Sequence, residues 1–370
     1  SDTGEACIFE RSAQIWSLDS CLSIAPGSSV TIKQLGRAAS ISGTYIAVSA
    51  VHQSTGKAGA VYVFKLINGN WTQQAEITTP ESSINEQFGG ALSISDNYIA
   101  IGSQGNGSLD GAVYIYKRTD GNWALDLKIT PDSSIKSKRF GSSVTLSDSY
   151  LIIGDYEHGR GHEGAAYIYH QEDEIWSRQA SFKGGNVTKN GEYGSAVAIS
   201  KNHAVVGAKW ENDPDIKKNK KRGAVYVYQR EKNLWKNQTK LVASDAALGD
   251  QFGSSVAISG DYILVGAEQD DSATGSSYLF KNTNGSWLEI FKFESSSRRK
   301  QDHFGHALAL SEGHIVIGAY NKNMNTGISG AGYVYALNNA VTPTQKEIEF
   351  YISDLNKLKK KYENDKCLIL

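Results

Sequence analysis

Residues 252–266 read FGSSVAISGDYILVG. An aromatic-glycine pair opens the stretch and a glycine turn divides it. Apolar residues alternate before the turn and run together after it, the pattern of two short antiparallel strands. The same pattern recurs as FGGALSISDNYIAIG from Phe88, FGSSVTLSDSYLIIG from Phe140, YGSAVAISKNHAVVG from Tyr193 and FGHALALSEGHIVIG from Phe304, with a divergent LGRAASISGTYIAVS from Leu35. The glycine of the pair stands at 36, 89, 141, 194, 253 and 305, a period of about 53 residues with one longer interval.

Each copy has a second half: GAVYVF from Gly59, GAVYIY from Gly111, GAAYIY from Gly164, GAVYVY from Gly223, SSYLF from Ser276 and GAGYVY from Gly330. Tryptophans at 16, 71, 123, 176, 235 and 287 keep the period. Every copy therefore reads as four short strands. Four strands repeating at about 50 residues mark propeller blades, none of which can bury its faces without neighbours.

Composition agrees. Among 370 residues, 37 Gly and 19 Tyr against 5 Pro favour strands joined by glycine turns, and the expected fold class is all-β. Charge is balanced, 38 Lys and Arg against 39 Asp and Glu, so no overall field favours nucleic acid, and none is expected as a partner. No apolar run approaches the length needed to span a bilayer. Cys7, Cys21 and Cys367 are too few for a disulfide framework or a zinc site. Cys7 and Cys21 can pair only if neighbouring strands bring them together; otherwise they are two half-buried thiols.

On its FG and later G-A elements the sequence resembles the FG-GAP repeat family, the β-propeller units of integrin α-subunit heads and of many bacterial surface and secreted proteins. The resemblance covers roughly residues 1–338 and implies a propeller of four-stranded blades; the count of copies gives six, and the leftover ACIF at residues 6–9, with the seven blades of the family's best-known members, keeps seven as the alternative. The last copy stops after its third strand, at Gly332 to Ala336, while the N-terminal GEACIFERSAQIWSLDSCLSI matches the back half of a copy. Ile15 to Ile24 are thus expected to supply the missing outer strand and close the ring. Calcium-binding members of the family carry an acidic loop between the first two strands. The corresponding turns here, such as SGDY and SEGH, are too short to wrap an ion, and no such site is expected.

Loops joining strands 2 to 3 and 4 to 1 lie at one end of a blade and are the long ones, so the recognition surface is expected there. Basic residues gather on them: Lys217, Lys218, Lys220, Lys221 and Arg222; Lys136, Lys138 and Arg139; and Arg298, Arg299 and Lys300. These are candidates for binding a protein partner. The acidic EQDDSATG from Glu268 reads as a solvated loop. His158 and His162, in DYEHGRGHEG, are weak metal-ligand candidates, and His303 and His306 flank the last FG motif at a strand start. No metal, cofactor or catalytic residue is assigned, since no GxSxG elbow, P-loop or HExxH appears. The expectation is a chain that is not an enzyme.

After residue 338 the pattern changes. Residues 339–366 read as an amphipathic helix with a polybasic end: Thr342 as N-cap, Pro343 in the first turn, an apolar stripe of Ile348, Tyr351, Ile352, Leu355, Leu358 and Tyr362, then Lys357, Lys359, Lys360 and Lys361. Residues 367–370, Cys367, Leu368, Ile369 and Leu370, fit a C-a-a-X prenylation signal, and Leu370 biases it to a geranylgeranyl-type prenyltransferase. One lipid chain with a basic patch makes the two signals stable anchoring needs. The expectation is a membrane-associated interaction platform on the cytosolic side of a eukaryotic cell, either as a cytosolic propeller of that cell or, the favoured form, as a bacterial effector lipidated by its host. Ending on a third strand, it would carry its tether at the short-loop end. The alternative is a secreted or surface lectin- or adhesin-like propeller, for which N-x-S/T triplets at Asn70, Asn106, Asn186, Asn237 and Asn284 would matter.

Overall fold

The computed structural model describes residues 5–12, 15–24, 35–51, 59–80, 87–105, 110–132, 137, 139–147, 149–159, 161–183, 190–212, 221–295, 300–311, 313–320, 330–337 and 348–351. The described strands form a two-stranded sheet and six four-stranded antiparallel sheets. The chain divides into two compact units at His158 and Gly159.

The first unit holds the hairpin β1 (Cys7–Ser12) and β2 (Ile15–Cys21), then β3 (Leu35–Ser42), β4 (Tyr45–Ala50), β5 (Ala60–Ile67) and β6 (Asn70–Thr78), then β7 (Gln87–Ile94), β8 (Tyr98–Gln104), β9 (Ala112–Thr119) and β10 (Asn122–Ile129), and the paired β11 (Phe140–Ser147) and β12 (Tyr150–Asp155). The second holds the paired β13 (Ala165–Glu172) and β14 (Ile175–Lys183); β15 (Tyr193–Ile199), β16 (His203–Ala208), β17 (Ala224–Glu231) and β18 (Leu234–Leu241); β19 (Phe252–Ser259), β20 (Tyr262–Ala267), β21 (Ser276–Thr283) and β22 (Ser286–Glu294); and β23 (Ala307–Leu310), β24 (His314–Ala319), β25 (Ala331–Ala336) and β26 (Ile348–Tyr351). A four-residue turn of helix, α1 (Asp270–Ala273), is the one helix among the described residues.

Second strands such as β4 are buried along their whole length and third strands such as β5 over their first half and more, while fourth strands such as β6 alternate toward solvent. A strand covered on both faces reads as an unbroken apolar run, which is what YIAVSA and YILVGA are. One core cluster joins Val61 and Val63 to Phe88, Ile101 and Tyr114; another joins Val225 and Val227 to Phe252, Val265 and Tyr278. Each such side chain contributes about 2 kcal/mol on burial.

The FG pair has two jobs. Its aromatic ring packs edge-on against the tyrosine of its own copy's third strand, Phe252 on Tyr278 at 5.5 Å and Phe304 on Tyr333 at 5.0 Å. Its glycine occupies a β-bulge: the register of β19 against β20 jumps between Phe252 and Ser255, and Gly253 has φ +90°. The tryptophans have a job too. The Trp235 indole N–H donates to Gln179 Oε1 on β14 at 2.7 Å, and that of Trp287 to Gln238 Oε1 on β18 at 3.0 Å, so each ties its fourth strand to the fourth strand of the preceding copy.

Two expectations are corrected at the ends of the chain. Residues 15–24 do not stand beside β25; β2 pairs with β1, and the fourth place in the last sheet is taken by β26, which pairs antiparallel with β25 from Val334↔Ile348 to Ala331↔Tyr351. Residues 348–351, expected in the amphipathic helix, are therefore strand: the open edge of β25 offers a ladder of hydrogen bonds that outweighs a local helical pattern. The rest of that helix lies outside the described residues. Because β26 runs antiparallel to β25, the chain leaves it at the long-loop end, not the short-loop end.

Candidate functional site on the long-loop end of the second unit

Four of the expected basic candidates fall among the described residues, two of them engaged in the scaffold through their side chains and a third through its backbone. Arg139 Nε lies 3.1 Å from Glu157 Oε1, its Nη1 donates to Gln104 Oε1 at 3.1 Å, and its guanidinium sits 5.7 Å over the Tyr156 ring. Lys221 Nζ donates to the Asn190 carbonyl at 3.3 Å and lies 5.4 Å over Trp210. Arg222 donates its backbone N–H to Glu211 O at 3.0 Å and accepts from Phe252 N at 3.1 Å. Lys300 is exposed. Lys136, Lys138, Lys217, Lys218, Lys220, Arg298 and Arg299 lie outside the described residues, as do Lys357, Lys359, Lys360, Lys361 and Cys367 to Leu370.

The two weak metal candidates sit in different settings. His158 is buried with Nδ1 3.4 Å from Asp155 Oδ2, the carboxylate that also accepts a hydrogen bond from the Ser137 hydroxyl, whereas His162 is exposed at φ +53°. Among the described residues no group of three or more His, Cys, Asp or Glu side chains converges as a metal site would require. His303 and His306 do not form a dyad. His303 stacks on Tyr320 at 4.8 Å and its Nδ1 meets Gln269 Nε2 at 3.1 Å; His306 meets Tyr320 edge-on at 4.3 Å and directs Nδ1 to Glu268 Oε2 at 2.6 Å. Burial alone would raise the Glu268 carboxyl, but the hydrogen bond and charge of His306, with His303 and Lys209, hold it below its usual value.

A polar pocket of about 500 Å³ opens between the loop that leaves β18 and the loop carrying α1, lined by Leu248, Asp250, Gln269, Asp270, Lys292 and Glu294 among others. Lys292 reaches it from β22. Its Nζ lies 2.6 Å from Asp245 Oδ2 and 2.9 Å from Asp270 Oδ2, with Glu294 Oε1 at 3.8 Å. The Tyr278 hydroxyl donates to Asp245 Oδ1 at 2.8 Å. Local chain geometry places the acids: Asp250 Oδ2 accepts the Ala247 N–H at 2.5 Å and closes the loop after β18, and α1 turns left-handed at Asp271, Ser272 and Ala273, with φ between 47° and 67°.

Charge and burial pull the acids in opposite directions. Burial would raise the Asp245 carboxyl, but the hydrogen bonds from Lys292 and Tyr278 and the Lys292 charge outweigh it and hold it below the ordinary carboxylate value. Burial likewise would lower Lys292, and its bonds to Asp245 and Asp270 raise it instead. Asp250 feels the Lys292 charge only weakly, as the smallest of the influences on it. Burial pushes it up, and the charges of Asp270 and Asp245 add to that against the Ala247 N–H. Tyr278 is raised by burial and by the Asp270 charge. The pocket thus presents carboxylate acceptors around a neutralised lysine, a setting that suits a cationic or hydroxyl-bearing group.

The EQDDSATG loop is accordingly not a solvated loop, since Asp270 is buried beneath it against Lys292. Asp245 and Lys292 escaped the sequence reading because they lie far from each other and from Asp270 along the chain, and only strand order brings them together. The one sequence signal available was the acid two residues before the FG aromatic, Asp250 before Phe252 and Asp302 before Phe304.

The family model of the FG-GAP repeat matches residues 71–116, 123–169, 176–228, 235–280 and 287–335. No curated protein matches the sequence. Among solved structures, a candidate 6-phosphogluconolactonase from Bacteroides uniformis superposes with a TM-score of 0.54 over 84% of this chain and 83% of its own, at 11% identity. At that identity the likeness shows the fold alone: an all-β propeller of four-stranded blades, six of them among the described residues. It also corrects the expectation that the chain is not an enzyme, because a protein of the same fold carries an enzyme's name, so the architecture cannot be used to set catalysis aside.

Proposed function

The chain belongs to the FG-GAP repeat family, and on that premise we propose that it is a protein-binding platform held at a membrane by a prenyl group on Cys367. An FG-GAP β-propeller fits a binding platform, because its buried second and third strands make a rigid support for loops. The observation that carries the tether is the C-terminal sequence Cys367-Leu368-Ile369-Leu370 behind Lys357, Lys359, Lys360 and Lys361, which supplies both a geranylgeranyl acceptor and a basic patch for an anionic leaflet. The prenyl-transferring machinery is cytosolic and eukaryotic, which fits a protein of the eukaryotic cell itself and an effector modified by its host alike; the Lys-, Asn- and Ser-rich composition and compact repeats favour the effector.

The return of β26 bears on how such a platform works. The chain sets off toward its C-terminus from the long-loop end, and the stretch from Tyr351 to Cys367 spans at most about 55 Å when extended. A partner gripped by the long loops is then recruited next to the bilayer. The test is expression of the full chain in eukaryotic cells, with mass spectrometry of the C-terminal peptide and fractionation of membranes. The expected result is a geranylgeranyl group on Cys367 and loss of membrane association in Cys367→Ser. An unmodified Cys367 in such cells, or a Cys367→Ser chain that fractionates like the parent, overturns the tether. Glycans on Asn70 or Asn237 would direct the platform to the secreted, lectin-like reading instead.

A further inference from the structure

β1 and β2 run antiparallel with Cys7 directly opposite Cys21. One pair further out, the Leu22 N–H donates to the Ala6 carbonyl at 3.1 Å, which makes Ala6 and Leu22 a hydrogen-bonded pair. Pair types alternate along an antiparallel ladder, so Cys7 and Cys21 occupy a non-hydrogen-bonded pair, the kind with Cα atoms only about 4.5 Å apart and side chains closest. That spacing lies within the range of about 4.4–6.8 Å that a disulfide bridges without backbone movement. Both side chains point to the buried side, at 2% and 7% exposure, and their Sγ atoms stand 2.9 Å apart as thiols. Two sulfurs at that separation need to close by only about 0.9 Å to bond.

We propose that Cys7 and Cys21 are a dithiol–disulfide pair, a covalent modification site that cross-links the N-terminal hairpin. The co-reactant is a small-molecule disulfide such as glutathione disulfide. The thiolate of one cysteine attacks it, forming a mixed disulfide and releasing one glutathione thiolate. The second cysteine's thiolate attacks the protein sulfur of that mixed disulfide and releases the other. One S–S bond forms in the protein and one is lost from the oxidant; the two cysteines give up two protons and two electrons, and the oxidant leaves as two thiols. Burial does not block the exchange, because a sheet of two strands is only marginally stable by itself and opens locally. The cross-link then prevents that opening. This inference is independent of the lipid on Cys367.

The test is to equilibrate the full chain in glutathione buffers of increasing oxidising ratio, quench with an alkylating agent, and map peptides without reduction. The expected result is a linked peptide pair holding Cys7 and Cys21, lighter by two hydrogens than the two thiol peptides. Its share should rise from a tenth to nine tenths over about an eighty-fold change in the squared-thiol to disulfide ratio, as a two-electron couple requires. A Cys367→Ser chain should give the same curve. Full alkylation of both cysteines in the most oxidising buffer overturns the proposal. So does glutathione left on either cysteine as the end product, or linkage of either to Cys367 or to a second chain.

Discussion

Gly223 and Phe252 meet backbone to backbone in a parallel β-bridge, and a Cβ on Gly223 would fall on the Phe252 carbonyl. The glycine that opens the third strand of one copy is thus the seat for the FG aromatic of the next. Gly164 and Tyr193 repeat the contact, also as a parallel bridge. The two halves of the motif recur at one period because each copy must fit its successor, and the fit is between main chains.

Gly223→Ala should therefore be far worse than an alanine at a glycine that only needs its φ. Gly223 has φ +88° and backbone in the way, and the substitution should cost about 3–5 kcal/mol. Gly285, at φ +86° in the hairpin between β21 and β22, has nothing within 4 Å of the built position, and Gly285→Ala should cost about 1 kcal/mol. Urea denaturation of both variants checks the difference.

The Trp235 to Gln179 bond should behave as a clip between neighbouring fourth strands. Trp235→Phe removes the donor and leaves Gln179 Oε1 without it, at a cost of about 1 kcal/mol. In a double-mutant cycle with Gln179→Leu the coupling should be about 0.5–1.5 kcal/mol. Additive single effects would show that the bond contributes nothing.

Lys292 answers two carboxylates at once. Lys292→Met should destabilise the second unit by about 1–3 kcal/mol, less than a fully buried pair because Lys292 is a quarter and Asp245 half exposed. Asp270→Asn in the same chain should recover part of the loss. The folded Asp245 carboxyl lies below its unfolded value of 3.8, so its contribution is present above that pH and is lost as pH falls through the folded value. Lys292→Met should make that acid limb shallower, as measured by denaturation midpoints across pH.

Asp250 works in the opposite sense. Its folded value lies above 3.8, so between the two values the native state keeps a proton the unfolded chain has released, and stability falls as pH rises through that window. Asp250→Asn removes the titration and can still accept the Ala247 N–H. The variant should gain on the parent as pH goes from about 4 to 7; a difference that does not change with pH would count against the raised carboxyl.

Much of the blade was legible because its signals are short-range. The turns Asn68-Gly69, Asp120-Gly121 and Asn284-Gly285 sit at positive φ in two-residue hairpins, as their composition requires. β26 was not legible. Ile348 and Tyr351 fit a helical stripe as well as a strand, and what decides between them is an unpaired edge on β25 that no window around residue 348 contains.

The candidate site was harder still, since its members had no common pattern to be found by. A carboxylate after β18, one in α1 and a lysine on β22 become neighbours only when the sheet of β15–β18 packs against the sheet of β19–β22. The basic loops illustrate the converse: Arg139 and Lys221 were visible as charges, but whether a charge is offered to a partner or spent on Glu157 or on Trp210 depends on what folds against it.

By itself the amino-acid sequence determined the repeat, the four strands of every blade but the last and the tight turns, because strand alternation and glycine turns act over a few residues. Tertiary structure alone decided which strand closes the last sheet, at which end the chain leaves it, that Cys7 faces Cys21, and that Lys292 is shared by two aspartates. Each of these depends on edge pairing or on register between distant segments, and the energy of a hydrogen-bonded ladder or an ion pair exists only once both partners are in place.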